Sequence, residues 1–146
     1  MINYFDGKFD FLSNFYPSMI TDGEIWFPTV EHYYQAAKAK NKEDYKAIAA
    51  APTPGKAKKL GREAEIRADW EEVKDDIMLE ALRQKFNHKP LKEKLLATGE
   101  ERLEEGNYWH DNIWGKCYCV ECQNTVGQNK LGKMLMKIRE EIKSSM

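Results

Sequence analysis

The chain has 146 residues, of which 42% are hydrophobic and 32% charged, and its formal net charge is −1. That length suits one domain able to bury about 70% of its unfolded surface, and the even charge balance excludes a global attraction to nucleic acid or to an anionic membrane. No apolar run approaches the roughly 20 residues of a membrane span, and the start, MINYFDGKFDFLSNFYP, has no signal-peptide core, so a cytoplasmic location is expected.

The first 27 residues read as short strands and turns. Asp6-Gly7 and Asp22-Gly23 are hairpin-type signals set among Phe5, Phe9, Phe11, Phe15, Tyr16, Trp26 and Phe27. After Pro28 the period changes. Thr29 suits the N-cap of a helix running to about Lys40, with Val30, Tyr33, Tyr34 and Ala37 on its apolar face. A second helix is predicted over Glu43 to Ala50, and after Pro52 and Pro54 a third over about Gly55 to Ala64. Asp69, with Glu72 at the capping-box position, predicts the start of a fourth, which carries Trp70, Val73, Ile77, Ala81, Leu82 and Phe86 down to His88. Pro90 stops it, and Leu91 to Thr98 form a short further helix. Leu103 to Asn107 fits a strand or a loop, and Tyr108 to Gly127 is a loop rich in aromatics, glycine and cysteine. The last helix places Leu131, Met134, Leu135, Ile138 and Ile142 on one stripe. The expectation is an α+β fold: a single, mainly helical domain over residues 1–146 with a small N-terminal antiparallel β element.

Six constellations have the residue types that chemistry needs. Glu31, Gln35 and Lys38 stand at i, i+4 and i+7, so a carboxylate, an amide and an amine share one helix stripe; the alternative is a solvated polar face. Ser13-Asn14 lies between aromatics, which suits either an amide in an aromatic-walled pocket or a plain turn. Gly55 to Arg62 is a basic cluster at a helix start, suited to a phosphate or simply to solvent, and it lacks the ending of a P-loop. Asp111, between Trp109 and Trp114, is a partly desolvated carboxylate fit for acid–base work, or else the head of an Asx turn. Cys117, Cys119 and Cys122 with His110 nearby offer zinc ligands. The set lacks a second Cys-x-x-Cys half, however, and the Cys117–Cys119 spacing is tight, so buried thiols in a hairpin are expected rather than a metal or a disulfide. Gly127 to Gly132 opens the last helix with backbone N–H groups expected to be free for an anion or a ribose, Asn129 being otherwise a cap.

Several blocks run in a specific order along the chain: Phe11-Leu12-Ser13-Asn14-Phe15; Phe27-Pro28-Thr29-Val30-Glu31-His32-Tyr33-Tyr34-Gln35-Ala36-x-Lys38; Gly61-Arg62; Asp69-Trp70; Asp111-x-x-Trp114-Gly115; and Gly127-x-Asn129-x-Leu131-Gly132-x-x-Leu135-Met136. In that order they resemble the NADAR family, the YbiA-like group linked to NAD and ADP-ribose metabolism. The resemblance implies a compact α+β fold with a central pocket. It also implies an N-glycosidase with no cofactor and no metal, acting on phosphoribosylaminopyrimidine intermediates of riboflavin synthesis or on ADP-ribosylated guanine in nucleic acid. Carried over by position, the catalytic residues are Glu31, Lys38 and Asp111, and the substrate-binding residues are Asn14, Phe15, Gln35, Arg62, Trp70, Trp114 and Asn129. Glu31 or Asp111 would stabilise an oxocarbenium-like state. Lys38 would assist the departing nitrogen, hold a phosphate or hydroxyl, or form a transient Schiff base. Arg62 and Lys58 would meet a phosphate, and Trp70 and Trp114 would stack on a base. A non-catalytic ADP-ribose or NAD-binding module and a zinc-ribbon adaptor are the alternatives from other classes.

Overall fold

A computed structural model describes residues 1–146. The elements are α+β and mainly helical, as the sequence predicts, and they fall into two compact units, Asn14–Lys85 and Met1–Ser13 with Phe86–Met146. No helix is long and apolar enough to cross a membrane.

The first of these units, Asn14–Lys85, opens with an antiparallel hairpin, β1 (Ile20–Thr21) and β2 (Trp26–Phe27), in the register Ile20 to Phe27 and Thr21 to Trp26. The Asp22-Gly23 signal is realised here. Gly23 takes a φ of +100°, and the Asp22 carboxylate accepts the N–H groups of Glu24 and Ile25. Helices α1 (Val30–Lys38), α2 (Lys42–Ala49) and α3 (Pro54–Glu63) follow. Their caps are Thr29, Asn41 and Thr53, whose side chains accept the N–H groups of His32, Asp44 and Lys56; each such cap contributes about 1 kcal/mol. α4 (Trp70–Lys85) starts where predicted, but Asp69 does not spend its carboxylate on a capping box. Arg67 claims it through a two-point fork, Nε to Oδ1 at 2.6 Å and a second guanidinium nitrogen to Oδ2 at 3.0 Å. α1 packs against α2, α3 and α4, and Phe27, Val30, Ala36, Ile48, Ala57, Met78 and Leu82 are fully or almost fully buried.

In the other unit, the Asp6-Gly7 signal does not make a hairpin. Gly7, at φ +51°, opens a 3-10 segment, Gly7–Leu12. Pro90 stands in the first turn of α5 (Lys89–Leu96), where its missing N–H costs nothing, so it starts this helix rather than only ending the one before. β3 (Gly106–Asn107) pairs in parallel with β4 (Lys116–Cys117). A 3-10 turn, Val120–Cys122, leads on to α6 (Lys130–Ser144), which buries Leu131, Leu135 and Ile138.

Candidate active site

The start of α1 is fixed by a histidine with no freedom left. His32 Nε2 lies 2.9 Å from the Ala51 carbonyl, which only accepts, so that nitrogen carries the hydrogen and Nδ1 pairs with the Thr29 hydroxyl at 2.8 Å. His32 is 1% exposed and structural.

Next to it the predicted polar stripe closes into a hydrogen-bonded chain. Gln35 Nε2 donates to Glu31 Oε2 at 2.7 Å, and Lys38 Nζ donates to Gln35 Oε1 at 3.3 Å. Glu31 is 8% and Gln35 6% exposed, so this is no solvated face. Burial pushes the Lys38 ammonium below the ordinary lysine value. The Glu31 carboxylate works against that shift, and the Arg62 guanidinium adds to it. α3 fits tightly on this chain because residue 61 is glycine. A Cβ there would overlap Gln35 Oε1 and stand 2.8 Å from its Cδ. Arg62, the next residue on α3, is exposed, and Lys58 is half-buried one turn earlier.

Asn14 is tied to the same helix turn, since the Glu31 N–H donates to the Asn14 carbonyl at 3.1 Å. Its Nδ2 donates weakly to the Met78 sulfur at 3.6 Å, whereas its shielded Oδ1 has no hydrogen-bond partner. An unpaired buried acceptor costs about 1–3 kcal/mol, a cost that a bound hydroxyl or amine would remove. Phe15 beside it is 43% exposed. Trp70, expected to stack on a base, is 6% exposed, and its ring packs against Tyr34 at 5.0 Å.

In the other unit, Asp111 heads an Asx turn. Its Oδ1 accepts the N–H groups of Ile113 at 3.0 Å and Trp114 at 2.9 Å. The expected indole walls are uneven, because Trp109 is largely exposed while Trp114 is half-buried, with Lys130 Nζ 5.8 Å from its ring centre. Asn107, which sequence reasoning missed, organises this loop. Its buried amide donates to the Asp111 carbonyl at 2.9 Å and accepts the N–H of Asp111 at 3.2 Å. The backbone N–H groups expected to be free at the start of α6 are occupied. Those of Gln128, Asn129, Lys130 and Leu131 donate to the carbonyls of Asn112, Gly115, Ile113 and Trp114. The loop has folded back onto the helix start and taken the place predicted for an anion. Asn129 is also turned inward: its amide accepts the Glu105 N–H at 3.0 Å and donates to the Leu103 carbonyl at 2.9 Å.

Comparison with known proteins adds to this geometry. An N-glycosidase from Nostoc punctiforme is 44% identical, the match covering 90% of this chain and 85% of that protein. N-glycosidase YbiA from Escherichia coli is 36% identical over 97% of this chain and 88% of its own. The NMR structure of E. coli YbiA superposes with a TM-score of 0.83 at 32% identity, covering 99% of this chain and 86% of that one. A riboflavin biosynthesis protein from Vibrio vulnificus is 36% identical over 94% of this chain, which spans only 36% of that longer protein. The sequence model of the NADAR domain matches residues 4–143, and with that match running almost end to end the chain belongs to the NADAR domain family.

Proposed function

We propose that the chain is an N-glycosidase that hydrolyses a ribose C1–N bond, and that the buried Glu31–Gln35–Lys38 chain on α1 carries the reaction. This hydrogen-bonded chain is the observation on which the reading rests. N–C1 cleavage leaves positive charge on the ribose ring, which a carboxylate stabilises, and leaves electrons on nitrogen, which an N–H donor must meet. Glu31 serves the first need and Lys38 the second, while Gln35 holds the two in register. Asn14 Oδ1 accepts from a substrate hydroxyl or amine, Phe15 stacks on the base, and Arg62 with Lys58 takes a phosphate. Asp111 is the second carboxylate, and Trp114 is a further stacking face. Trp70 acts by backing Tyr34, and Asn129 by holding the 103–105 backbone. The substrate class is a phosphoribosylaminopyrimidine, acted on in the cytoplasm by residues 1–146 working as one domain. The names carried by the relatives and the local basic cluster on an otherwise balanced chain support that class over ADP-ribosylated guanine in nucleic acid. Parallel incubation with the aminopyrimidine, with ADP-ribosylated guanine DNA and with NAD tests it, mass spectrometry showing which bond breaks. Release of ribose 5-phosphate from the first alone is expected; no turnover of any of the three leaves a binding module.

The lowered Lys38 pKa makes the pH dependence a test of its role. If the ammonium is the donor, kcat/KM falls on a basic limb below the ordinary lysine value of about 10.4. Stability moves the other way. A lysine depressed by folding releases its proton sooner in the folded state, so its contribution rises from the lowered pKa up to the unfolded value. Arg62→Gln should shift the limb upward, because Arg62 lowers Lys38. Activity unchanged across this window, in the wild type and in Lys38→Met, would remove Lys38 from the proton inventory.

Gly61→Ala tests the middle of the chain. The new methyl displaces the Gln35 amide, the flexible end of a side chain, so the fold should survive with a Tm lower by about 5 °C. Activity should fall roughly tenfold as Glu31 and Lys38 lose their common partner. Wild-type kcat in a folded Gly61→Ala variant would show that Gln35 does not matter to the chemistry.

A further inference from the structure

The sequence spacing argues against a metal among the cysteines, yet the fold gathers them. Cys117 ends β4, and Cys119 follows in extended backbone, so the two thiols, two residues apart, fall on the same side. Cys119 then caps the 3-10 turn Val120–Cys122, with the Cys122 N–H on the Cys119 carbonyl at 3.1 Å. In such a turn residues three apart eclipse, which brings the third sulfur back over the second. His110 supplies the fourth group. At φ +69° it holds the left-handed conformation that few side chains adopt, and its Nδ1 lies 3.4 Å from Cys119 Sγ, 3.5 Å from Cys122 Sγ and 3.9 Å from Cys117 Sγ.

We propose that His110, Cys117, Cys119 and Cys122 bind one zinc ion as a closed structural site. All four donor atoms lie within 4.8 Å of one another. Zinc bonds of about 2.3 Å to sulfur and about 2.0 Å to nitrogen, at tetrahedral angles, require N–S edges of about 3.5 Å, and the observed distances of 3.4, 3.5 and 3.9 Å lie around that value. The thiols are free, with no disulfide to consume them. Cys117 Sγ already accepts the N–H groups of His110 at 3.3 Å and Cys119 at 3.5 Å, the backbone hydrogen bonds that hold a ligating sulfur in place. Lys116 Nζ donates to the carbonyls of Cys122 and Thr125, which puts a cation beside a site whose three thiolates leave one excess negative charge on the zinc. Four protein ligands leave no open position, so the ion cross-links the loop that carries Asp111 and Trp114 and takes no part as a Lewis acid. The inference goes beyond the glycosidase reading and does not depend on it.

The test is metal analysis of the purified full chain, after reconstitution with equimolar zinc under reducing conditions, with no activity measurement needed. One zinc per chain is expected, and a strong chelator should lower Tm by roughly 10 °C. Cobalt in its place should show intense tetrahedral visible bands and thiolate-to-cobalt charge transfer. His110→Asn keeps a residue that tolerates the left-handed backbone, and Cys119→Ser alters the half-buried thiol; each should weaken zinc binding roughly 100-fold or more. The proposal is overturned if the wild type binds no more zinc than the triple Cys117→Ser, Cys119→Ser, Cys122→Ser variant, if the bound cobalt shows no thiolate charge transfer, or if iron is the metal retained. The wild-type measurements stand even where a variant fails to fold.

Discussion

Glu31→Gln is expected to lower kcat by roughly 100-fold or more while leaving KM within a few-fold of wild type, the pattern of an interaction realised mainly in the transition state. The substitution keeps the shape of the side chain and removes only its charge. The new amide can still turn its oxygen toward Gln35 Nε2, which now meets Glu31 Oε2 at 2.7 Å, and the backbone bond from residue 31 to the Asn14 carbonyl is untouched. What the fold loses is a carboxylate in the first turn of α1, worth about 0.3–1 kcal/mol against the helix dipole, so Tm should move by only a few degrees. What the reaction loses is the one negative charge on the chain that joins Glu31 to Lys38. A second readout separates this from a general loosening of the site. Glu31 raises the Lys38 pKa, so the residual activity should show its basic limb at lower pH than the wild type. Near wild-type turnover in a folded Glu31→Gln protein would take Glu31 out of the mechanism and leave the chain on α1 as a packing device.

What the sequence made legible was local. The i, i+4, i+7 spacing of Glu31, Gln35 and Lys38 needs only helical geometry, and the structure joins all three as the stripe suggests. Thr29, as the cap of α1, and the Asp22-Gly23 turn are likewise settled by neighbours a few residues away. Where two partners compete, or where the answer is which way a side chain faces, the sequence was silent. Asp6-Gly7 and Asp22-Gly23 are the same dipeptide, yet only the second has strands to join. Asp69 had a capping role open to it and Arg67 two residues away, and the guanidinium won. Trp70 and Asn129 have the residue types of a binding surface but turn inward, one onto Tyr34 and the other onto the backbone of residues 103–105. The gathering of the three cysteines around His110 was not legible for a related reason. Spacing rules for zinc assume a knuckle, whereas here an extended pair, a 3-10 turn and a left-handed histidine assemble the cluster.

Asp111→Asn is the sharpest question that remains open for the loop, because the structure gives the bland explanation real content. Asp111 Oδ1 accepts two backbone N–H groups, from Ile113 and Trp114, and this alone explains an acidic residue at the head of the turn. Asparagine makes the same Asx turn through its own Oδ1, so the loop should keep its shape, and Asn107 still holds the residue 111 backbone from both sides. The substitution therefore isolates the charge from the turn. If Asp111 is the second carboxylate of the glycosidase, kcat should fall roughly 100-fold with Kd for the substrate little changed, since a carboxylate that stabilises a cation acts mainly in the transition state. Trp114→Ala should behave differently. It removes a half-buried stacking face, so Kd should weaken by about 1–3 kcal/mol of lost base stacking, roughly tenfold or more, along with any loss of kcat. Measuring both constants for both variants on the active substrate separates the two roles. Full kcat in Asp111→Asn together with an unchanged Kd in Trp114→Ala would make this loop a structural turn, and the catalytic charge would then rest on Glu31 alone.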